Sequence, residues 1–127
     1  MSFLFNPHHR LIVVGAQLHG PSSRVVLRLA LDTGASRTMV GIAPLVTAGY
    51  DPALMGDRVQ VTTPVGVEFL PRLTIERLSS LGCDRADLAV LGHTLPPGAG
   101  VDGLLGLDFL RGQRLSIDFR EGAITLQ

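Results

Sequence analysis

The sequence predicts an all-β domain. Of its 127 residues 46% are hydrophobic, and they fall into short apolar runs that are separated by many of the 15 glycines and 8 prolines. Short runs with turn residues between them are typical of strands and hairpins rather than of a helix bundle. A chain of this length forms one domain with a modest core. We therefore expect hairpins with one or two short helices.

Composition also limits the classes of function. Eleven basic and eleven acidic residues cancel and are scattered, which argues against nucleic-acid binding. The single cysteine, Cys83, allows no intrachain disulfide. We expect no cofactor and no metal, because His8 and His9 have no further ligands at a suitable spacing. No apolar run is long enough to span a bilayer. We expect a soluble chain, cytoplasmic by preference, either alone or as a domain of a larger or anchored protein.

The first third of the chain predicts an irregular lead-in and then a hairpin. Residues 1–9 form the lead-in, and residues 10–127 form the single domain. Strands are expected at residues 10–19 and 24–31, on either side of a Gly-Pro-Ser-Ser turn. A short strand at Thr38–Val40 and a helix at Ile42–Ala48, which ends at Gly49, follow.

Two further hairpins are predicted by alternating apolar residues. Residues 58–63 and 65–76 form the first, with its turn at Thr63-Pro64-Val65-Gly66. Residues 113–119 and 123–127 form the second. Between the two hairpins we expect three further elements, namely a turn-rich connection at residues 77–85, a strand at Ala86–Leu91 and a short helix from Leu107 to about Arg111.

The most informative stretch is the end of the strand at residues 24–31. The apolar run continues directly into Asp32-Thr33-Gly34-Ala35-Ser36. A carboxylate at the end of a buried strand is costly unless it is hydrogen-bonded or paired. Gly34 allows a sharp turn and a close approach of another backbone. Three residues of this type are also ordinary turn chemistry, so a second motif is needed.

That second motif is Leu104-Leu105-Gly106, which is followed by a short helical stretch. An Asp-Thr-Gly loop and a later apolar-apolar-Gly strand, in this order and about a domain apart, resemble the aspartic proteases. The branch that the chain resembles is the retropepsin-like one, single-domain viral and bacterial proteases that work as homodimers. The resemblance extends from about residue 10 to the C-terminus. It implies a closed β-barrel or sandwich in which the hairpin at 58–76 is a flap over the substrate.

The resemblance also implies roles for individual residues. Asp32 is the catalytic residue, and Thr33 and Gly34 support it. The implied substrate-binding residues are Ala35, Ser36, Thr63, Pro64, Val65, Gly66 and Leu104. Because the chain has one Asp-Thr-Gly, the second carboxylate would come from Asp32 of a second copy, so the expected partners are the chain itself and an extended peptide or protein substrate.

Two alternatives and two other acids remain to be weighed. The same scaffold also suits a catalytically silent dimerisation or peptide-binding module, which Pro64 favours because it stiffens the hairpin tip. A weaker alternative is a monomer that stays inactive until it is released from a longer precursor. We expect Asp108 to cap the last helix or to pair with Arg37, and Asp102 to be solvated or to form a turn.

Overall fold

The computed structural model describes all 127 residues except for the side chain of Thr63. The described chain is mostly strands, as predicted, and it has two short helices. In chain order the elements are β1 (Ser2–Leu4), β2 (Val13–His19), β3 (Arg24–Leu31), β4 (Met39–Gly41), α1 (Ile42–Ala48), β5 (Asp57–Thr63), β6 (Gly66–Ser80), β7 (Cys83–His93), β8 (Gly103–Leu105), α2 (Leu107–Leu110), β9 (Leu115–Asp118) and β10 (Ala123–Leu126).

Six strands close into a barrel in the order β2-β3-β8-β4-β7-β6, and pairing between β2 and β6 completes the ring. Strand β5 is added to the outer side of β6. Closure gives the barrel strands a partner on each side, whereas β5 has only β6. The prediction of a closed β-barrel is confirmed.

The core forms one cluster of barrel residues that also includes Ile124 and Leu126 of β10. Its largest fully buried side chains are Phe109, Leu18, Leu27, Leu29, Leu45, Leu73, Ile75, Leu78, Leu105 and Ile124. Most of them occupy alternate positions of strands, which is the pattern that the sequence showed. In the described chain no helix is long and apolar enough to cross a membrane.

The longest strand corrects one expectation. Residues 77–85 were expected to be a turn-rich connection, but β6 continues to Ser80 and β7 starts at Cys83. The apolar alternation changes phase between Ile75 and Leu78, opposite Asp87, whose φ is 52°. The Glu76 N–H donates to the Tyr50 hydroxyl at 2.8 Å. Because the alternation is interrupted here, the sequence pattern did not indicate that the strand continues.

The two chain ends form a second sheet, in the order β1-β10-β9. Residues 2–4, within the stretch that we expected to be irregular, pair with β10 from Ser2 opposite Thr125 to Leu4 opposite Ala123. Three residues are too few to show a strand pattern, so this strand depends on its partner. Strand β10 therefore has a neighbour on each side within its own chain.

Candidate active site

The Asp32 loop connects two strands that have a third strand between them. Strand β8 runs parallel to β3, with Leu31 opposite Leu105, and antiparallel to β4, with Met39 opposite Leu104. The loop from Asp32 to Thr38 must therefore pass over the end of β8. The second sequence motif thus lies directly against the first.

The carboxylate of Asp32 is turned toward its own loop. Its Oδ1 accepts a hydrogen bond from the Gly34 N–H at 2.9 Å, and the Asp32 N–H donates to the Leu105 carbonyl at 2.9 Å. The Asp32 carbonyl also accepts a bond from the Ala35 N–H at 3.2 Å. The Asp32 side chain is half-buried, and Thr33 and Gly34 are exposed. The loop holds the carboxylate in one place while leaving its neighbours accessible.

Asp108 fixes the far end of the loop. Its carboxylate accepts the Thr38 N–H at 2.9 Å and the Thr38 hydroxyl at 2.7 Å, and it also accepts the Phe109 N–H at 2.8 Å. Thr38 is fully buried, and its hydroxyl oxygen accepts the Gly106 N–H at 3.1 Å. In the described chain Asp108 makes no ion pair with Arg37, so this alternative is wrong. The other alternative was a helix cap, and Asp108 lies in the first turn of α2, where the N-cap residue Gly106 has no side-chain cap.

Two glycines of β8 and its end allow this close packing. A Cβ on Gly103 would lie 2.0 Å from the Met39 carbonyl oxygen, and one on Gly106 would lie 2.7 Å from the Arg37 carbonyl carbon. Real Cβ atoms do not approach other atoms so closely, so both positions require glycine for space rather than for conformation. The glycine of the second motif is thus explained by backbone contact with the loop.

Asp102 also has a structural role. Its Oδ2 accepts the Arg28 N–H at 2.8 Å, and its backbone N–H donates to the Arg28 carbonyl at 2.7 Å. We expected a solvated or turn-forming acid. The carboxylate instead joins the start of β8 to the middle of β3, and sequence reasoning missed this because the two residues are 74 positions apart.

A cleft of about 520 Å³ lies between the Asp32 loop and the β5–β6 hairpin. Four predicted site residues line it, namely Gly34, Ala35, Ser36 and Leu104. Sequence reasoning missed the rest of the lining, which consists of Arg37, Met39, Val59, Gln60, Val61, Thr62, Arg72 and Leu91. The alternation of Val59 and Val61 along β5 was the available signal for part of this wall.

The tip of the β5–β6 hairpin lies away from this cleft. Pro64 and Val65 form the two-residue turn, and Val65 is 93% exposed. Pro64, Val65 and Gly66 do not belong to the cleft lining of the single chain. Thr63 was also expected to bind substrate, and its side chain lies outside what the structure describes. The structure therefore brings Gly34, Ala35, Ser36 and Leu104 together in the cleft, whereas Asp32, Thr33 and the hairpin tip are not part of its lining.

Two solved structures resemble the chain over most of its length. A retropepsin-like aspartic protease from Rickettsia conorii aligns with a TM-score of 0.72 and 18% identity, over 99% of this chain and 88% of that chain. The retroviral protease-like domain of Ddi1 from Leishmania major aligns with a TM-score of 0.61 and 18% identity, over 92% and 88% of the two chains. No family model matches the sequence, and no curated protein does. At this identity the likeness concerns architecture, and it shows that the chain has the retropepsin-like fold.

Proposed function

We propose that the chain is an aspartic endopeptidase that acts as a homodimer, with Asp32 of each copy as the catalytic pair. The observation on which this proposal depends is the position of the Asp32–Gly34 turn. The Asp32 carboxylate is hydrogen-bonded to Gly34, and Gly34 lines a cleft of about 520 Å³. An acid held by backbone groups beside an open cleft is suited to chemistry on a bound substrate.

Peptide hydrolysis of this kind requires two carboxylates that share one proton. One activates a water molecule while the other donates to the substrate carbonyl oxygen. Like charges a few ångström apart cannot both ionise, so the two groups titrate as a pair; the dyad of aspartic proteases is a standard case. Within one chain Asp102 and Asp108 are hydrogen-bonded to backbone N–H groups. A second copy of Asp32 across a two-fold axis is therefore the suitable partner.

The neighbours of Asp32 have roles that fit this arrangement. Thr33 is exposed, which leaves its hydroxyl free to bond across the axis. Gly34, Ala35 and Ser36 present backbone groups to an extended peptide, which would lie in the cleft as an added strand. The β5–β6 hairpin would act as a flap, and its tip would reach substrate or the other flap once two copies meet.

The C-terminal sheet limits how two copies meet. Strand β10 pairs with β1 on one side and with β9 on the other. An interleaved sheet in which β10 pairs with the partner's terminus would first have to displace β1. We infer that a partner chain contacts the outer edges of this sheet or the surface around Thr33.

The decisive experiment compares wild type with Asp32→Asn on an unstructured protein substrate from acidic to neutral pH. The matched control is Asp87→Asn, because Asp87 is exposed and asparagine tolerates its positive φ. We expect cleavage by wild type and by the control, and none by Asp32→Asn. Retained cleavage by a purified Asp32→Asn protein would overturn the proposal.

A mixing experiment tests the shared site separately. Equal amounts of wild type and Asp32→Asn are mixed under conditions in which subunits exchange. If one Asp32 from each copy is needed, only wild-type pairs cleave, and these are about a quarter of all pairs in an equal mixture. Activity would fall to about half of that of wild type alone at the same total wild-type concentration. Unchanged activity would show that each chain acts alone.

The silent binding module is the second candidate, and Pro64 in the hairpin turn favours it. A proline there restricts the backbone of a segment that must move to admit substrate. This candidate predicts a folded dimer that binds extended peptides and cleaves none. Cleavage that depends on Asp32 would exclude it.

A further inference from the structure

Two arginines line the cleft. Arg37 follows Ser36 in the Asp32 loop, and Arg72 lies in β6, and both line the 520 Å³ space. Two like charges in one cleft are unfavourable unless an acid compensates them. Among the described residues Arg72 has an acidic partner and Arg37 does not, and this difference bears on which substrates the cleft binds.

Arg72 is neutralised by an acid of its own chain. Its Nε donates to Asp57 Oδ1 at 3.1 Å and its Nη2 to Asp57 Oδ2 at 2.6 Å. Two parallel bonds of this kind hold a guanidinium in one orientation. Arg72 therefore joins β6 to the start of β5, and the negative charge of Asp57 offsets its positive charge toward a ligand.

Arg37 has no such partner. Its side chain is exposed, and no carboxylate of the described residues lies within ion-pair distance of it. The pKa of Asp57 is lowered chiefly by its hydrogen bond from Arg72, and the charge of Arg37 lowers it further. The positive charge of Arg37 thus acts on Asp57, the partner of Arg72.

We propose that Arg37 selects substrates with an aspartate or glutamate side chain close to the cleaved bond. This inference rests on the proposed function, because it names the substrate class of the same site. A guanidinium binds a carboxylate through two bonds of fixed geometry, which a neutral amide cannot match. Met39, Leu91 and Leu104 line the same cleft, so an apolar side chain fits beside the acidic one. In a two-fold dimer the same preference applies on both sides of the cleaved bond.

The test uses synthetic peptides built around a cleavage site that is first mapped by mass spectrometry on an unstructured protein. At each of the three positions on either side of the cut, glutamate, glutamine or lysine is placed in turn, and kcat/KM is measured. We expect glutamate to exceed glutamine by about tenfold at one or more positions, with lysine below both. Added salt should reduce the difference.

Two variants of Arg37 and one control assign the preference. Arg37→Gln should make glutamate and glutamine peptides equivalent, and Arg37→Glu should favour the lysine peptide. Arg58→Gln is the control, because Arg58 is exposed on neighbouring β5 and does not line this cleft. It should keep the wild-type preference.

Failure of this inference is distinguishable from failure of the proposed function. If wild type cleaves glutamate, glutamine and lysine peptides equally, the role of Arg37 is overturned and the protease proposal stands. If nothing is cleaved, the protease proposal fails, and the same labelled peptides are titrated for binding by fluorescence anisotropy. Tighter binding of the glutamate peptide that is lost in Arg37→Gln would support the inference, and equal binding or no binding would overturn it.

Discussion

The two walls of the cleft are built in opposite ways. The Asp32 loop is tied to β8 and α2 by several hydrogen bonds. The Asp32 N–H donates to the Leu105 carbonyl, the Leu107 N–H donates to the Ala35 carbonyl, and the fully buried Thr38 donates to Asp108. In the outer part of the β5–β6 hairpin, residues 59–70, the two strands pair with each other, and the pairing of β6 with β7 begins at Arg72. Val65 and Phe69 in this outer part are 93% and 66% exposed.

This contrast separates positioning from covering. Catalytic groups need a geometry held to a fraction of an ångström, and buried hydrogen bonds provide it. A covering element must open for substrate, and an element with few buried contacts opens at low cost in free energy. Substitutions in the loop should therefore reduce stability and activity together, whereas substitutions in the hairpin should affect activity alone.

The largest effect on stability is expected for Asp108→Ala. This change leaves the buried Thr38 N–H and hydroxyl without their acceptor, which should lower the free energy of unfolding by roughly 3 kcal/mol. Because Thr38 ends the Asp32 loop, cleavage should fall between about tenfold and a hundredfold. Urea denaturation and peptide cleavage measure the two effects. Glu121→Ala, at an exposed residue of the terminal turn, is the control. A stable and fully active Asp108→Ala protein would show that the loop holds itself.

Gly106→Ala should have the next largest effect. The added Cβ would lie 2.7 Å from the Arg37 carbonyl carbon and 2.9 Å from the Ala35 carbonyl oxygen. The loop must then move away from β8, at a cost of roughly 2 kcal/mol. Gly15→Ala in β2 is the control, since a Cβ there meets nothing within 4 Å. Gly106→Ala should unfold at a lower temperature and cleave more slowly than Gly15→Ala. Equal unfolding temperatures and cleavage rates of the two variants would contradict the close packing of loop and strand.

Much of the loop wall was predictable from the sequence, but the hydrogen bonds that hold the loop in place were not. The Asp32 motif and Leu104-Leu105-Gly106 are each a continuous run of residues, and the resemblance based on both runs predicts that they lie close together. Asp108 and Thr38 are 70 positions apart, and nothing local in either residue indicates the other. The same holds for Asp102 and Arg28. Long-range hydrogen bonds of single side chains leave no periodic signal.

Among the helices and strands, those with a regular local sequence signal were also the ones predicted correctly. Helix α1 was predicted at Ile42–Ala48 and ends there, because Gly49 adopts a left-handed φ of 105°. Strand β1 was missed because it depends on β10, a partner distant in sequence, and the end of β6 was missed because the apolar alternation changes phase before Leu78. A pair with Arg37 was one of the two roles expected for Asp108. The structure places Arg37 in the cleft instead.

Val65→Ser should separate the two walls most clearly. Val65 is 93% exposed, so its replacement should change the free energy of unfolding by less than about 0.5 kcal/mol. If the hairpin tip contacts bound substrate, KM should rise several-fold. Val26→Ser is the matched control, because Val26 is 74% exposed on the barrel strand β3. Unchanged KM in both variants would remove the tip from substrate binding, and a large loss of stability would contradict the contrast between the walls.

The smallest effect is expected for Asp57→Asn, at the base of the hairpin. The hydrogen bond from Arg72 lowers the pKa of Asp57 from its ordinary value of 3.8. A carboxyl group with a lowered pKa in the folded state adds stability above its unfolded pKa, and this stability is lost as the pH falls through the folded pKa. Asp57 is exposed, so the ion pair contributes little. Wild type should therefore melt slightly above Asp57→Asn at neutral pH, and the two curves should converge below pH 3.8. A difference that persists in acid would show that Asp57 stabilises the hairpin through its shape, and not through the charge that leaves Arg37 as the unmatched cation of the cleft.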